Sequence, residues 1–325
     1  YHTPYDCCPY RIQYTPFSSI QSMKEVRTGV EAVRPGRNLF VREWILGVDE
    51  GEPMTGKRVD LQIMIVHGSC ATERQFHLLL LSLEAKVQAL PRKCAVRCLL
   101  CDAVGCGSSP IPTEYEAYSP ENMMQDIKGT VETFLDQKVP LLWMGHSYGP
   151  SLILRLLASG ALANYKSAGL ILIGTAVRPE PNDPNFFPDG GLLIFRLPVW
   201  MIQCLQHFMT VQFTKIAIHP KHVWLRNACL ADSNANSCFM IRSFYRQTVW
   251  ATTDDLLQVV AAHASLPVLV IHGVNDGVIQ IKYGQDLANA VPDATFCPVE
   301  EASHLVMMEQ ADKVATMVLD FLKQQ

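Results

Sequence analysis

Three side chains far apart in the sequence have the types that acyl transfer needs: Ser147, Asp276 and His304. A serine hydroxyl is a poor nucleophile at neutral pH, so a base must take its proton. A neutral imidazole can do this and return the proton to the leaving group, if a carboxylate fixes its tautomer and stabilises the imidazolium. Ser147 stands in Gly145-His146-Ser147-Tyr148-Gly149. Glycines on either side let a strand turn tightly into a closely packed helix and leave the hydroxyl at the tip. Asp276 closes His272-Gly273-Val274-Asn275-Asp276, and His304 closes Glu300-Glu301-Ala302-Ser303-His304. Two backbone donors are expected to hold the developing oxyanion: the amide of Tyr148, just after the nucleophile, and that of Ser69, after the His67-Gly68 turn.

The elements that must carry these residues are legible from their periods. Short apolar runs at 39–45, 59–66, 96–101, 140–144, 170–173, 267–271 and about 294–299 read as strands, most of them buried on both faces. Between them lie helical patterns: Phe76, Leu79, Leu80, Leu83 and Val87 on one face, a start signal at Ser119-Pro120, then Leu152, Leu156 and Leu157, and finally Val314, Val318 and Phe321. Repeated βα units predict a mostly parallel sheet with helices on both sides. In such a sheet ligands bind beyond the carboxyl ends of the strands, where all of these candidates fall. The alternation breaks at about residue 177 and resumes at about 265. Four segments follow: an extension at 1–37 without clear period, a first core part at 38–176, a helical cap inserted at 177–264, and a second core part at 265–325.

Bulk properties narrow the function. With 325 residues the chain can bury a large core, and a net charge of -4 with no basic stripe argues against nucleic acid as a partner. The 11 cysteines are scattered through strands and helices, which reads as reduced and intracellular, most simply cytoplasmic. Cys94, Cys98 and Cys101 lack a second ligand pair at zinc-finger spacing, so no metal and no cofactor is expected. No run of 18 apolar residues escapes a charge, and no signal-peptide pattern opens the sequence. Adjacent Cys7 and Cys8 read as free thiols before acyl carriers.

Other polar residues have plainer readings. His67 is expected to order the oxyanion turn, and His146 and His272 to pack or hydrogen-bond beneath the site. Asp102 should tie down its own loop, while Asp183 is the alternative acid. Asp254 and Asp255 suit a helix cap or a solvated face. The apolar stretch with Leu193, Phe195, Val199, Trp200, Ile202, Leu205 and Phe208 is expected mainly to pack on the core; its functional reading is the wall of an acyl pocket or a lip in peripheral contact with a membrane.

Taken together, the elbow, the His67-Gly68 turn, the Asp102-x-x-Gly105-x-Gly107-x-Ser109 loop, Gly273-x-x-Asp276 and Ser303-His304 resemble the α/β-hydrolase superfamily from about residue 33 onward. Val33 to Arg37, Ile194-Phe195-Arg196-Leu197-Pro198, Cys204-Leu205 and Ser303 to Glu309 are most similar to the α/β-hydrolase domain-containing protein 8 group. The resemblance implies a mostly parallel eight-stranded sheet with a helical cap, and a serine hydrolase acting on an ester or thioester, a hydrophobic or acyl small molecule, through an acyl-enzyme. Relatives that transfer acyl groups to lysophospholipids are similar in carrying His-x4-Asp, but Glu309 stands at that Asp position. Epoxide hydrolases and haloalkane dehalogenases place Asp where Ser147 stands. The rival from another class is a catalytically silent binding or scaffold protein on the same fold.

Overall fold

The computed structural model describes residues 23–48, 58–92, 94–179, 183, 186–263 and 266–323. Cys7 and Cys8 lie outside the described residues. Eight strands form one sheet: β1 (Lys24–Arg34), β2 (Arg37–Leu46), β3 (Leu61–Val66), β4 (Val96–Cys101), β5 (Leu141–His146), β6 (Ser167–Ile173), β7 (Val268–Gly273) and β8 (Thr295–Val299). Their order is β1-β2-β4-β3-β5-β6-β7-β8. β1 and β2 pair antiparallel, as do β2 and β4, and the remaining pairs are parallel.

Strand alternation sends side chains into two separate cores. Leu141 and Trp143 of β5 join α2 (Pro120–Phe134), α3 (Gly149–Ala158), α7 (Thr253–Ala262) and α8 (Ile281–Asn289) on one face. Leu142 and Met144 join α1 (His77–Gln88), α9 (Val306–Glu309) and α10 (Ala311–Lys323) on the other. Cys98 and Cys101 are likewise divided between the two cores, so they cannot chelate one ion together. Among the described residues no group of three His, Cys, Asp or Glu could hold a metal, and no helix is long and apolar enough to cross a membrane.

One expectation needs correction. Residues 24–34, assigned to an extension without period, are the edge strand β1, joined to β2 through a turn at Gly36 with φ +71°. Its side chains form no apolar alternation because the strand is held by charge: Arg34 meets Asp126 at 2.6 Å, and Arg27 meets Glu43 at 3.5 Å. Charged edges of this kind also discourage pairing with a second chain.

Between β6 and β7 the chain runs through α4 (Val199–Ala217), α5 (Arg226–Ala235), α6 (Cys238–Gln247) and α7. Thr252 caps α7 and shares a reciprocal capping box with Asp255.

Candidate active site

The elbow is strained by design of its neighbours. Ser147 has φ +55°, a left-handed conformation that costs a non-glycine residue on the order of 1 kcal/mol or more. Packing on every side holds it there. The Ser147 amide donates to Ile173 O at 2.9 Å, and the Thr175 hydroxyl donates to Ser147 O at 2.5 Å. A Cβ added at Gly149 would stand 2.4 Å from Val66 O, and one at Gly145 would stand 2.8 Å from Pro150 N. The two glycines therefore allow α3 to press against β3 and β5. Gly68 performs the same service for the oxyanion turn, since its Cβ would come 2.9 Å from Ser147 Cβ.

Ser147, His304 and Asp276 converge across three strand ends. His304 Nε2 is 3.1 Å from Ser147 Oγ, and its Nδ1–H donates to Asp276 Oδ2 at 2.9 Å. The other carboxylate oxygen, Oδ1, accepts the amides of Val278 and Ile279 at 2.8 and 2.9 Å, which fixes the acid's orientation. Burial alone would raise the Asp276 carboxyl, but the His304 imidazole and hydrogen bonds from His272 and His304 outweigh it and hold the group well below the usual carboxylate range. The loop carrying His304 is bound to the C-terminal end of α4: His304 N donates to Ala217 O at 3.1 Å, and the Ser303 hydroxyl to Ile216 O at 2.8 Å.

Each of the other histidines is held by a defined bond. His67 donates from Nδ1 to Gly68 O at 2.7 Å and accepts the Ala103 amide at Nε2, tying the oxyanion turn to the loop after β4. His272 Nε2 donates to Ile279 O at 2.8 Å. His146 donates from Nε2 to His304 O at 2.9 Å and so supports the backbone of the base. Burial, followed by the neighbouring His304, pushes His146 down to about 3.

A pH effect follows. The unfolded chain takes up a proton at His146 below about pH 6.5, whereas the folded chain does not until about pH 3. Stability from this residue is thus lost on acidification, at about 1.4 kcal/mol per pH unit. Asp276 is shifted in the same sense, and its depressed value adds stability that is lost only as the pH falls below about 4. Urea unfolding should therefore show His146→Gln losing about 2–3 kcal/mol less than wild type between about pH 6.5 and 4.5. Equal slopes for the two proteins would contradict this.

Asp102 tethers its own loop, accepting Glu73 N and Ser108 N at 2.8 Å each, and Gly107 leaves room for its carboxylate. Asp183 accepts from Lys282 and Tyr283 at 2.9 and 2.8 Å and is not bonded to His304. The sequence reading missed two cap residues that meet the turn after Gly68. Asn236 Nδ2 donates to Cys70 O at 2.6 Å, and the Tyr245 side chain lies beside those of Ser69 and Cys70 on the cavity wall. Nothing in the aperiodic cap marked either. Thr175 could have been found, because it follows β6 as the other candidates follow their strands.

Ser147 and His304 open into a cavity of about 1000 Å³, walled by Phe195, Phe213 and Trp250 of the cap and by Leu305 and Met308 beyond the base. The wall is mostly apolar, with Thr72, Gln75 and the charged Arg42, Arg74, Lys215 and Asp232 on the polar side.

A sequence model described as serine aminopeptidase, S33, matches residues 58–311, more than half of the chain. The chain belongs to this α/β-hydrolase family. Among curated proteins it is similar to protein ABHD8 of Mus musculus and of Homo sapiens, in each case 25% identical over 223 residues, covering 68% of this chain and 47% of the relative. The chain thus spans about half the length of the relatives it matches. Solved structures share the fold at low identity. A bromoperoxidase from Bacillus anthracis has a TM-score of 0.68 at 15% identity, covering 91% of this chain and 100% of its own. An esterase from Thermogutta terrifontis has 0.67 at 18%, covering 93% and 98%. An enol-lactonase from Burkholderia xenovorans has 0.68 at 17%, covering 91% and 100%.

Proposed function

We propose that this α/β-hydrolase is a serine hydrolase that cleaves a carboxylic ester or thioester of a hydrophobic acyl group through an acyl-enzyme. The reading is carried by the hydrogen-bonded line Ser147–His304–Asp276 at the mouth of an apolar cavity. Ser147 attacks the carbonyl while His304 takes its proton; His304 then returns that proton to the leaving alcohol or thiol. Asp276 keeps the Nδ1–H tautomer, so Nε2 is free to accept. The amides of Ser69 and Tyr148 receive the oxyanion, with the α3 N-terminus adding favourable polarity there. Water repeats the sequence on the acyl-enzyme. The esterase and enol-lactonase among the structural neighbours bear names in keeping with ester cleavage, though they share only the fold.

Acyl transfer of the His-x4-Asp kind is less well supported. Both Glu309 oxygens are engaged, one with the Ser303 amide at 2.6 Å and the other with the His219 amide. Glu309 thus staples the His304 loop to the end of α4. A silent scaffold is disfavoured by the complete and connected triad.

Alkyl fluorophosphonates test both parts of the reading. Wild-type protein should form one adduct, located by peptide mass at Ser147, and a long-chain probe should react faster than an ethyl analogue. No adduct in folded protein removes the serine hydrolase; equal rates for the two probes remove the hydrophobic acyl substrate.

A further inference from the structure

The cap helix α4 was expected to bury its apolar residues on the core, and it does so on one narrow face only. Ile202, Thr210, Thr214 and Ala217 are buried. Apolar residues around the rest of the helix stand in solvent beside the exposed Gln203, His207 and Gln212: Trp200 is 65% exposed, Phe208 62% and Ile216 51%. Lys215 is the sole Lys, Arg, Asp or Glu along the 19 residues of this helix. Leu193, 74% exposed, precedes the helix, and Trp224, 51% exposed, follows it. A surface helix of a soluble protein normally turns charge outward, so this face lacks its partner.

Two further observations identify that partner. First, no Asp or Glu occurs between Asp189 and Asp232, while Arg196, Lys215, Lys221 and Arg226 do. Lys221 is paired with Glu301, so in a chain of net charge -4 the exposed, uncompensated positive charge on this part of the cap rests on Arg196 and Lys215. Arg196 and Lys215 are exposed, and among the described residues no carboxylate lies within ion-pair reach of either. Second, Phe208, Ile216 and Leu192 are exposed and also line the catalytic cavity. The cavity mouth therefore opens within the apolar patch.

We propose that this face of the cap is a docking surface for an anionic phospholipid bilayer, with Leu193, Trp200 and Trp224 entering the interface and Arg196 and Lys215 meeting the lipid phosphates. Exposed aromatic and aliphatic side chains flanked by lysine and arginine suit the boundary between headgroups and acyl chains. Each basic residue near an anionic leaflet contributes on the order of a few-fold in binding. A second protein chain would satisfy the apolar face equally well. It would give no reason for an acid-free stretch, nor for a cavity mouth at the centre of the contact. The docked orientation lets an acyl chain pass from the bilayer to Ser147 without crossing water. The docking itself does not depend on the hydrolase reading, because vesicle binding requires no turnover.

Sedimentation with vesicles of phosphatidylcholine, alone or mixed with phosphatidylserine, tests the proposal. Wild-type protein should pellet with the mixed vesicles and less with the neutral ones, and added salt should release part of it. Leu193→Glu combined with Trp200→Glu should weaken binding at least about tenfold, since each apolar side chain lost from the interface removes on the order of tenfold. Neither residue lines the cavity, so reaction of this variant with a short fluorophosphonate reports that it is folded. Arg196→Gln with Lys215→Gln should reduce the preference for phosphatidylserine. Wild-type protein that stays in the supernatant with both vesicles overturns the proposal. So does binding that the Leu193 and Trp200 changes leave intact, or a dimer seen by light scattering that those changes dissociate.

Discussion

Ser147→Ala is expected to lower kcat on an ester substrate by about 10⁶-fold and Asp276→Asn by about 10⁴-fold, with KM little changed in either. The first figure reflects loss of the nucleophile itself. The second follows from geometry. Asp276 Oδ1 accepts the amides of Val278 and Ile279, so an asparagine would keep its oxygen there and turn its NH2 toward His304. His304 Nδ1 would then have to accept, which forces the proton onto Nε2, directly opposite Ser147 Oγ at 3.1 Å. A base that already carries its proton cannot take another from serine. The two losses should not add: the double variant should be about as slow as Ser147→Ala, because the acid acts only through the base. Steady-state kinetics on an acyl ester, with fold checked by thermal melting, decide the matter. Additive losses, or an Asp276→Asn enzyme within about tenfold of wild type, would mean that the Asp276 contact is not part of the chemistry.

The convergence of Ser147, Asp276 and His304 was readable because each follows a strand whose apolar run is long enough to recognise, and the sheet brings strand ends together whatever lies between them. Ser147 lies more than a hundred residues before Asp276 and His304, which are 28 apart, and β5, β7 and β8 place all three within hydrogen-bonding distance. The edge strand β1 was not readable. Its cohesion comes from Arg27 and Arg34 paired with Glu43 and Asp126, and such ion pairs leave no periodic trace. The cap defeated the sequence reading for a related reason. An apolar run predicts burial only when the remainder of the fold offers a face to cover it, and α4 has more apolar perimeter than the core beneath it can use. Trp200 and Phe208, read first as core packing and second as a pocket wall or membrane lip, stand in solvent, and Phe208 also lines the cavity. The cap's hold on the turn after Gly68, through Asn236, is a single polar contact across more than a hundred residues, which no local pattern encodes.

Gly149→Ala should destabilise the fold by about 3 kcal/mol and sharply reduce reaction with fluorophosphonates, whereas Gly160→Ala should cost about 1 kcal/mol and leave that reaction intact. The comparison separates two reasons for a glycine. Gly160 has φ +72° with open space where a side chain would go, so alanine there meets only backbone strain. Gly149 is not in the left-handed region, and its difficulty is contact: the new methyl would lie 2.4 Å from Val66 O and 2.9 Å from His67 O. Those are backbone atoms at the end of β3, bonded into the sheet, and they cannot rotate away as a side chain could. Relief requires α3 to move outward, which carries Tyr148 and Ser147 with it and widens the gap to the Gly68 turn. Urea unfolding gives the stability difference and probe labelling gives the catalytic one. If Gly149→Ala costs no more than Gly160→Ala, close packing of α3 against β3 is not what sets the position of the nucleophile.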